Sequence, residues 1–340
     1  MTSAARRRLA CWVTALAVVA LPLVGSGQVA AAGQSSDGGG GHGPRRGYVA
    51  MGDSFSSGEG TGVYTRATDT DDNQCHRSRL AYGPRLSAES RRLRPLRFVA
   101  CSGAATKDLY AANAANPGEG PQLDALRRRT RAVSLTIGGN DVVFVQVAQR
   151  CVQVGTNAGF NCSGDGALNA VIAARLAALA GVAVPGTEAI TPIAKVLTDI
   201  HAASPRARIY LGGYPELFGS RADNYRPLTG APGGSVCVVE PTLGAAVAYT
   251  DAQWINARTR QLNAILEDAV DQARDAGIRA TFVPASRFDG HGLCDDRASW
   301  INPLLVDGAG VAGVRSESLH PTAVGQRRGY AAAFRQAGLR

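Results

Sequence analysis

The chain has 340 residues, a formal net charge of +9 at neutral pH and 41 glycines. This length is ordinary for one α/β unit, and neither a second linker nor an internal repeat divides it. The positive charge comes mainly from arginines without interleaved aromatic residues, a pattern that argues against nucleic-acid recognition.

The N-terminus has the pattern of an export signal. Arg6, Arg7 and Arg8 precede an apolar run from Leu9 to Val24, and Ala30-Ala31-Ala32 offers a small-residue cleavage site. We therefore predict a signal peptide at 1–32, a flexible Gly-rich leader at 33–46 and one folded domain at 47–340. Cleavage would remove three arginines and leave a charge of +6. The apolar run is too short for a comfortable membrane span, so we expect a secreted, extracellular protein without stable membrane insertion.

Five short apolar runs alternate with segments whose apolar residues recur every three or four positions. The runs lie at Tyr48–Met51, Arg97–Ala100, Ala132–Ile137, Arg208–Leu211 and Ala280–Val283. The helical patterns lie at Leu80–Leu93, Gln122–Arg129, Ile193–Ala203 and Ala252–Ala276, with a final helix at Thr322–Gln336. This alternation predicts an α/β fold whose parallel sheet is covered by helices on both faces. Such sheets place ligands at the carboxyl ends of their strands.

Two segments are less regular than the rest. Residues 142–185 combine a cysteine loop with an Ala-rich helix at Ala167–Ala180, and residues 218–245 are rich in loop formers. We interpret them as a cap or insertion and a loop region, either of which could line a cleft. The arginines at 91–97 and 127–131 are interpreted as solvated faces with at most a mild attraction to anionic surfaces.

Six cysteines remain after removal of the signal peptide, and an even number in an exported chain indicates three disulfides. Six cysteines allow fifteen connectivities. Their order along the chain favours Cys75–Cys101, Cys151–Cys162 and Cys237–Cys294. Because no Cys-x-x-Cys pair occurs, we expect no metal site.

A candidate nucleophile follows the first predicted strand, in Gly52-Asp53-Ser54-Phe-Ser-Ser-Gly58. A serine between a strand and a helix sits at the rim of the sheet, beside free backbone N–H groups. Most such triplets are plain turns with a helix cap. The segment also differs from the Gly-x-Ser-x-Gly elbow, because Ser56 stands where the second glycine would be.

Two further strand ends carry groups suited to acyl transfer. Cys101-Ser102-Gly103 follows the second strand, and Gly138-Gly139-Asn140-Asp141 follows the third. The N–H groups of Ser54 and Gly103 and the side-chain amide of Asn140 could together stabilise the oxyanion of a tetrahedral intermediate.

A nucleophilic serine needs a base, and His320 is the best of five histidines. His320 precedes the final helix in Glu317-Ser-Leu-His320-Pro, where a carboxylate three residues upstream could steady its imidazole. His291 ranks second and could line the cleft. His42 lies in the leader, His76 adjoins a disulfide far from any strand end, and His201 closes a helix.

Gly52-Asp-Ser-Phe, Gly103, Gly-Gly-Asn140-Asp and His320-Pro, in this order, resemble the four blocks of the SGNH (GDSL-type) esterase/lipase family. The six cysteines and His291-Gly-Leu-Cys294 further resemble its secreted actinobacterial lipases and esterases. The resemblance implies a flavodoxin-like three-layer α/β/α fold, Ser54 as nucleophile, His320 as base and an oxyanion hole from Ser54, Gly103 and Asn140. It implies no metal or organic cofactor.

One position departs from the family pattern. The common block has an aspartate three residues before the histidine, and this chain has Glu317. Either Glu317 or a backbone carbonyl orients His320, and we favour Glu317 as the third catalytic residue.

We therefore predict a secreted serine esterase or lipase that hydrolyses carboxylic esters of lipids through an acyl-enzyme. A phospholipase, an arylesterase or a polysaccharide deacetylase would need the same residues, and a binding protein that has lost turnover is a different class. We expect a monomer whose partner is a small-molecule or lipid ester, without nucleic acid.

Overall fold

The computed structural model describes residues 47–152, 161–307 and 313–340, so the predicted signal peptide and leader lie outside the described residues. Within these ranges, eight strands form two sheets: β1 (Tyr48–Ala50), β2 (Leu96–Phe98), β3 (Ala132–Leu135), β4 (Arg208–Gly212), β5 (Arg226–Pro227), β6 (Ser235–Glu240), β7 (Ala245–Ala248) and β8 (Ala280–Val283). The central sheet has the order β2-β1-β3-β4-β8 and is parallel throughout. The predicted five-stranded parallel sheet is thus confirmed.

The described part of the chain also contains seven α-helices. They are α1 (Ser54–Ser57), α2 (Tyr82–Glu89), α3 (Phe144–Cys151), α4 (Gly166–Leu179), α5 (Ile193–Ala203), α6 (Tyr249–Asp275) and α7 (Ala332–Gln336). A π-helical segment, Gly325–Ala331, leads directly into α7. Since Ala323 and Val324 are already helical, the predicted final helix begins one residue later than expected, and its middle turns are π-helical.

Helices cover the central sheet on both faces, which explains why its strands are nearly continuous apolar runs. Consecutive residues of a strand point to opposite faces of the sheet. At the end of β4, two consecutive glycines therefore contact the helices that lie on the two faces. A Cβ placed on Gly212 would meet the ring of Phe334 in α7, whereas one on Gly213 would meet Asn263 in α6. The fold is a three-layer α/β/α arrangement.

Two expectations from the sequence are corrected. The loop-rich region at 218–245 contains the small antiparallel sheet β5-β6-β7. Its strands β6 and β7 are buried on nearly all positions, so they lack the polar alternation that marks a half-exposed strand. The helix expected at Gln122–Arg129 is only a 3₁₀ turn, Gln122–Ala125. A turn between Arg127 and Thr130 then leads the chain into β3.

In the structure the six cysteines form three disulfides, the pairs that their order along the chain favours. Cys75 joins Cys101, Cys151 joins Cys162 and Cys237 joins Cys294. The first of these bonds ties the loop after β2 to the segment before α2. In the residues covered by the structure, none of the helices has the length and apolar character needed to cross a bilayer.

Candidate active site

Ser54 is the first residue of α1, immediately after the carboxyl end of β1. Asp53 caps this short helix, and its buried carboxylate accepts hydrogen bonds from the Phe55 N–H (3.0 Å), the Thr136 hydroxyl (2.6 Å) and the Tyr214 hydroxyl. Burial raises the pKa of Asp53 to about 6, although these hydrogen bonds act in the opposite direction. Asp53 therefore fixes the turn that presents the serine.

Gly52 makes that turn possible, because its φ of +113° lies in the left-handed region. A Cβ at this position would also lie 2.2 Å from the Thr136 carbonyl oxygen. The side-chain amide of Gln122 makes two hydrogen bonds to the Gly52 backbone. Its Oε1 accepts from the Gly52 N–H at 2.6 Å, and its Nε2 donates to the Gly52 carbonyl at 2.9 Å. Gln122 is a positioning residue that the sequence did not reveal.

His320 reaches Ser54 from the far end of the chain. Its Nε2 lies 2.8 Å from the Ser54 Oγ, and its Nδ1 lies 3.0 Å from the Ser318 carbonyl oxygen. A carbonyl can only accept, so Nδ1 carries the proton and Nε2 accepts the serine hydroxyl. Burial lowers the pKa of His320 below its usual 6.5, against the opposing charge of Glu59. The imidazole is therefore neutral at pH 7, as a general base must be.

The preference for Glu317 as the orienting group is corrected. Its carboxylate accepts two hydrogen bonds from the Arg315 guanidinium, at 2.7 and 3.2 Å. The backbone carbonyl of Ser318 takes the position at Nδ1 instead. Because Leu319 adopts a φ of +62°, the chain turns back between Ser318 and His320 and brings that carbonyl to the ring.

Gly103 and Asn140 lie beside Ser54 on the wall of one cavity. Throughout the described residues, no hydrogen bond within the protein is donated by the backbone N–H of Ser54 or Gly103. The Asn140 Nδ2 donates to the Ala104 carbonyl at 2.9 Å, which holds its amide against the Gly103 loop. Three donors are thus available at the cavity surface near the serine hydroxyl.

Asp141 ties the loops after β2 and β3 to each other. Its carboxylate accepts from the Thr106 N–H at 2.9 Å and from the Thr106 hydroxyl at 2.7 Å. Burial raises the pKa of Asp141 to about 6, while the Thr106 hydrogen bonds oppose the shift. The Asp that follows Asn140 therefore fixes the relative position of Gly103 and Asn140.

The buried carboxylate of Glu59 supports the histidine loop, the segment 316–320 that ends at His320. It accepts from the Ser316 hydroxyl (2.9 Å), the Tyr64 hydroxyl (3.0 Å) and His76 Nδ1 (2.6 Å). Burial acts to raise the pKa of Glu59, but the His76 hydrogen bond and the charges of His320 and His76 lower it to about 2. His76, whose position in the sequence is far from any strand end, thus contacts a residue that supports the site.

Asn302 fastens the same loop to the serine side of the site. Its Nδ2 donates to the Gly60 carbonyl at 2.8 Å, and its backbone N–H donates to the His320 carbonyl at 2.9 Å. A Cβ at Gly60 would lie 2.8 Å from the Cβ of His320, so only glycine permits this close approach.

The Ser54 hydroxyl faces a cavity of about 550 Å³. Much of its wall is apolar, formed by Phe144, Val152, Leu304, Val314 and Leu319. His291 is not among the described residues that line it: its ring stacks on Trp300 at 3.7 Å, and its Nδ1 faces the Ala298 carbonyl at 2.8 Å. The expectation that His291 lines the cleft is therefore wrong.

Residues 50–328 match the GDSL-like Lipase/Acylhydrolase family. The chain is 31% identical over 337 residues to Lipase 2 of Streptomyces coelicolor, an alignment that covers 96% of this chain and 95% of that protein. It is similar to phospholipase A1 from Streptomyces albidoflavus NA297, with 29% identity and a TM-score of 0.58 over 87% of this chain and 100% of the other. It is also similar to an extracellular lipase from Streptomyces rimosus, with 29% identity and a TM-score of 0.57 over 86% and 99% of the two chains.

Proposed function

This chain belongs to the GDSL-like lipase/acylhydrolase family of ester hydrolases, and we propose that it is a secreted serine esterase or lipase acting on acyl esters of lipids. One observation carries the proposal: the Ser54 Oγ lies 2.8 Å from His320 Nε2 on the wall of a largely apolar cavity. A hydroxyl, a neutral imidazole and nearby N–H donors form the set that acyl transfer requires.

In the first half of the proposed cycle, the Ser54 Oγ attacks the acyl carbon and its proton moves to His320 Nε2. The carbonyl oxygen becomes an oxyanion that accepts hydrogen bonds from Ser54 N–H, Gly103 N–H and Asn140 Nδ2. The tetrahedral intermediate then collapses to an acyl-enzyme, and the leaving alcohol takes the proton from Nε2. The Ser318 carbonyl holds the Nδ1 proton and stabilises the transient imidazolium.

In the second half, water replaces the alcohol. His320 Nε2 removes one proton from the water as its oxygen attacks the acyl carbon. The same three donors stabilise the second oxyanion, and collapse returns the proton to the Ser54 Oγ and releases the carboxylic acid. The protein ends in its starting protonation state, so the cycle needs no cofactor.

The cavity wall supports lipid acyl chains as substrates. Five apolar side chains line a volume of about 550 Å³ next to the serine, and burial of an acyl chain there removes its methylenes from water. Each buried methylene contributes roughly 0.8 kcal/mol of binding free energy.

A phospholipase activity is the second candidate, since Arg315 lines the same cavity and its side chain is 42% exposed. A guanidinium at this position could bind the phosphate of a phospholipid through charge-assisted hydrogen bonds. The similarity to a phospholipase A1 supports this candidate.

Secretion and the domain limits are part of the proposal. Three disulfides are typical of proteins from oxidising compartments, and a similar Streptomyces rimosus enzyme is described as extracellular. We propose that cleavage after residue 32 releases a chain with a single hydrolase domain at 47–340. The intact mass of protein recovered from culture medium tests the cleavage point.

Hydrolysis of a p-nitrophenyl ester series, acetate through palmitate, tests the reaction class. The wild-type protein should hydrolyse part of the series, and Ser54→Ala should lose on the order of 10⁴-fold or more in kcat. Ser57→Ala is the matched control, because Ser57 lies in the same helix and its hydroxyl donates to the Ser54 carbonyl rather than facing the cavity.

The chain-length profile and a phospholipid assay separate the two candidates. Arg315→Gln should reduce phospholipid hydrolysis more than p-nitrophenyl ester hydrolysis if the phospholipase candidate holds. Activity that survives in Ser54→Ala would contradict the serine mechanism altogether.

A further inference from the structure

A second cavity, of about 530 Å³, lies at the amino ends of the central strands, opposite the edge that carries Ser54. Seven arginines from separate segments line it. They are Arg92, Arg129, Arg131, Arg206, Arg208, Arg279 and Arg340. Two of these segments, predicted from the sequence to be solvated faces, are brought together by the fold around one concave surface.

The parallel sheet places three of these arginines side by side. The Arg208 N–H donates to the Arg131 carbonyl at 3.0 Å, and the Ile209 N–H donates to the Arg279 carbonyl at 2.9 Å. Neighbouring strands lie about 4.8 Å apart, so the three backbones occupy adjacent positions in β3, β4 and β8 or just before them. Backbone pairing therefore brings these three arginines to the same rim of the sheet, and all three line the cavity.

No Asp or Glu side chain of the described residues is paired with any of the seven guanidinium groups. No Asp or Glu side chain is among the described residues that line the cavity. Like charges held close together repel each other, and a bound anion would remove this repulsion.

We propose that this cavity binds an anion with several linked phosphate groups, a soluble oligophosphate of about the size of inorganic triphosphate. The planar guanidinium of arginine donates two parallel hydrogen bonds to phosphate oxygens, and one phosphate group can bind two or three arginines. Seven arginines around one concavity therefore suit several phosphates better than one. The site is separate from ester hydrolysis, because its residues and the residues around Ser54 lie at opposite ends of the strands.

Calorimetric titration of the full secreted chain with sodium tripolyphosphate at low salt tests the proposal. Wild-type protein should bind one equivalent in a saturable manner, and added salt should weaken binding. The double variant Arg131→Gln/Arg208→Gln should bind at least about tenfold more weakly. The matched control is Arg66→Gln/Arg328→Gln, two exposed arginines outside the cavity, which should bind within about twofold of wild type.

The turnover of a soluble ester should be the same in the wild type and both double variants, which shows that the variants fold. Absence of saturable binding by wild-type protein, or equal weakening by both double variants, would overturn the proposal. Vesicles of phosphatidylglycerol provide the comparison with lipid phosphate. Binding to vesicles without binding of soluble tripolyphosphate would also overturn it and would identify an anionic membrane surface as the ligand.

Discussion

The two ends of the central sheet differ in whether their charged side chains have partners within the protein. At the carboxyl end, Asp53 and Glu59 each accept three hydrogen bonds, and His320 is held between a serine hydroxyl and a carbonyl. At the amino end, seven arginines face a cavity without an acidic side chain among its lining residues in the described part of the chain. The first end is organised by internal hydrogen bonds before any substrate arrives. The second gathers guanidinium groups that form no ion pair within the described residues, which is the basis of the proposed anion site.

If catalysis at the carboxyl end depends on preformed hydrogen-bond donors, removal of one donor should lower kcat strongly. Asn140→Ala should lower kcat on the order of 10²–10³-fold, because one oxyanion donor is lost. Steady-state kinetics with a p-nitrophenyl ester give the value, and the melting temperature shows whether loss of the Ala104 contact affects folding. A loss of less than about fivefold would remove Asn140 from the oxyanion hole.

The buried carboxylate behind the histidine loop is expected to matter less for turnover and more for stability. Glu59→Gln should lower kcat by about tenfold, since it weakens the Ser316 contact and removes a charge that favours the imidazolium. The pKa of Glu59 falls to about 2 in the folded protein from its usual 4.5, so its charge stabilises the fold above pH 4.5. This contribution, roughly 3 kcal/mol at most, is lost as the pH falls from 4.5 towards 2.

Denaturant unfolding at a series of pH values checks that prediction. The difference in the free energy of unfolding between wild type and Glu59→Gln should be largest near neutral pH and should shrink in acid. A difference that stayed constant from neutral pH to pH 3 would show that the Glu59 charge is not the cause.

The pH dependence of kcat/KM tests the state of His320. Burial lowers its pKa, so the acidic limb should have its midpoint below 6.5 and activity should fall about tenfold per pH unit beneath it. Glu59→Gln should move the midpoint further down, because the Glu59 charge raises the pKa of His320. Arg131→Gln at the opposite end should leave the midpoint where it is. A midpoint above 6.5 would contradict this account of the base.

The smallest effect is expected at Glu317, whose carboxylate pairs with Arg315 rather than with the imidazole. Glu317→Gln should change kcat by no more than about threefold, in line with the modest value of a partly exposed ion pair. Ser318→Ala keeps the backbone carbonyl at Nδ1 and should be similarly active. A loss of a hundredfold in Glu317→Gln would restore the glutamate to the catalytic set.

The parts of the fold that were predicted are those that local patterns specify. The strand starts at Ala132, Arg208 and Ala280 and the helix Ile193–Ala203 match the apolar runs and periodicity of the sequence. Ser54, Gly103 and Asn140 were brought together by one rule, that parallel strands end at the same edge. Their roles stay predictions until the variants are measured.

The missed features are contacts between residues that are distant in sequence. Glu59 meets Ser316, Gly60 meets Asn302, and Gly52 meets Gln122, and no local pattern indicates any of these pairs. The Glu317 error has a local cause: spacing alone cannot show that Leu319 adopts a positive φ, which brings the Ser318 carbonyl to the ring. The arginine cavity was missed because its members come from several segments that only the sheet brings together.

The Cys75–Cys101 bond has a consequence for the biogenesis of the enzyme. Cys101 stands two residues before Gly103, and the Ser102 N–H donates to the Cys75 carbonyl at 3.1 Å. The bond therefore fastens the loop that carries Gly103, the residue proposed to supply one oxyanion donor. In a reducing compartment the chain would lack this covalent anchor of the Gly103 loop. If the chain is exported as proposed, the bond would form only outside the cytoplasm, and full activity would follow its formation.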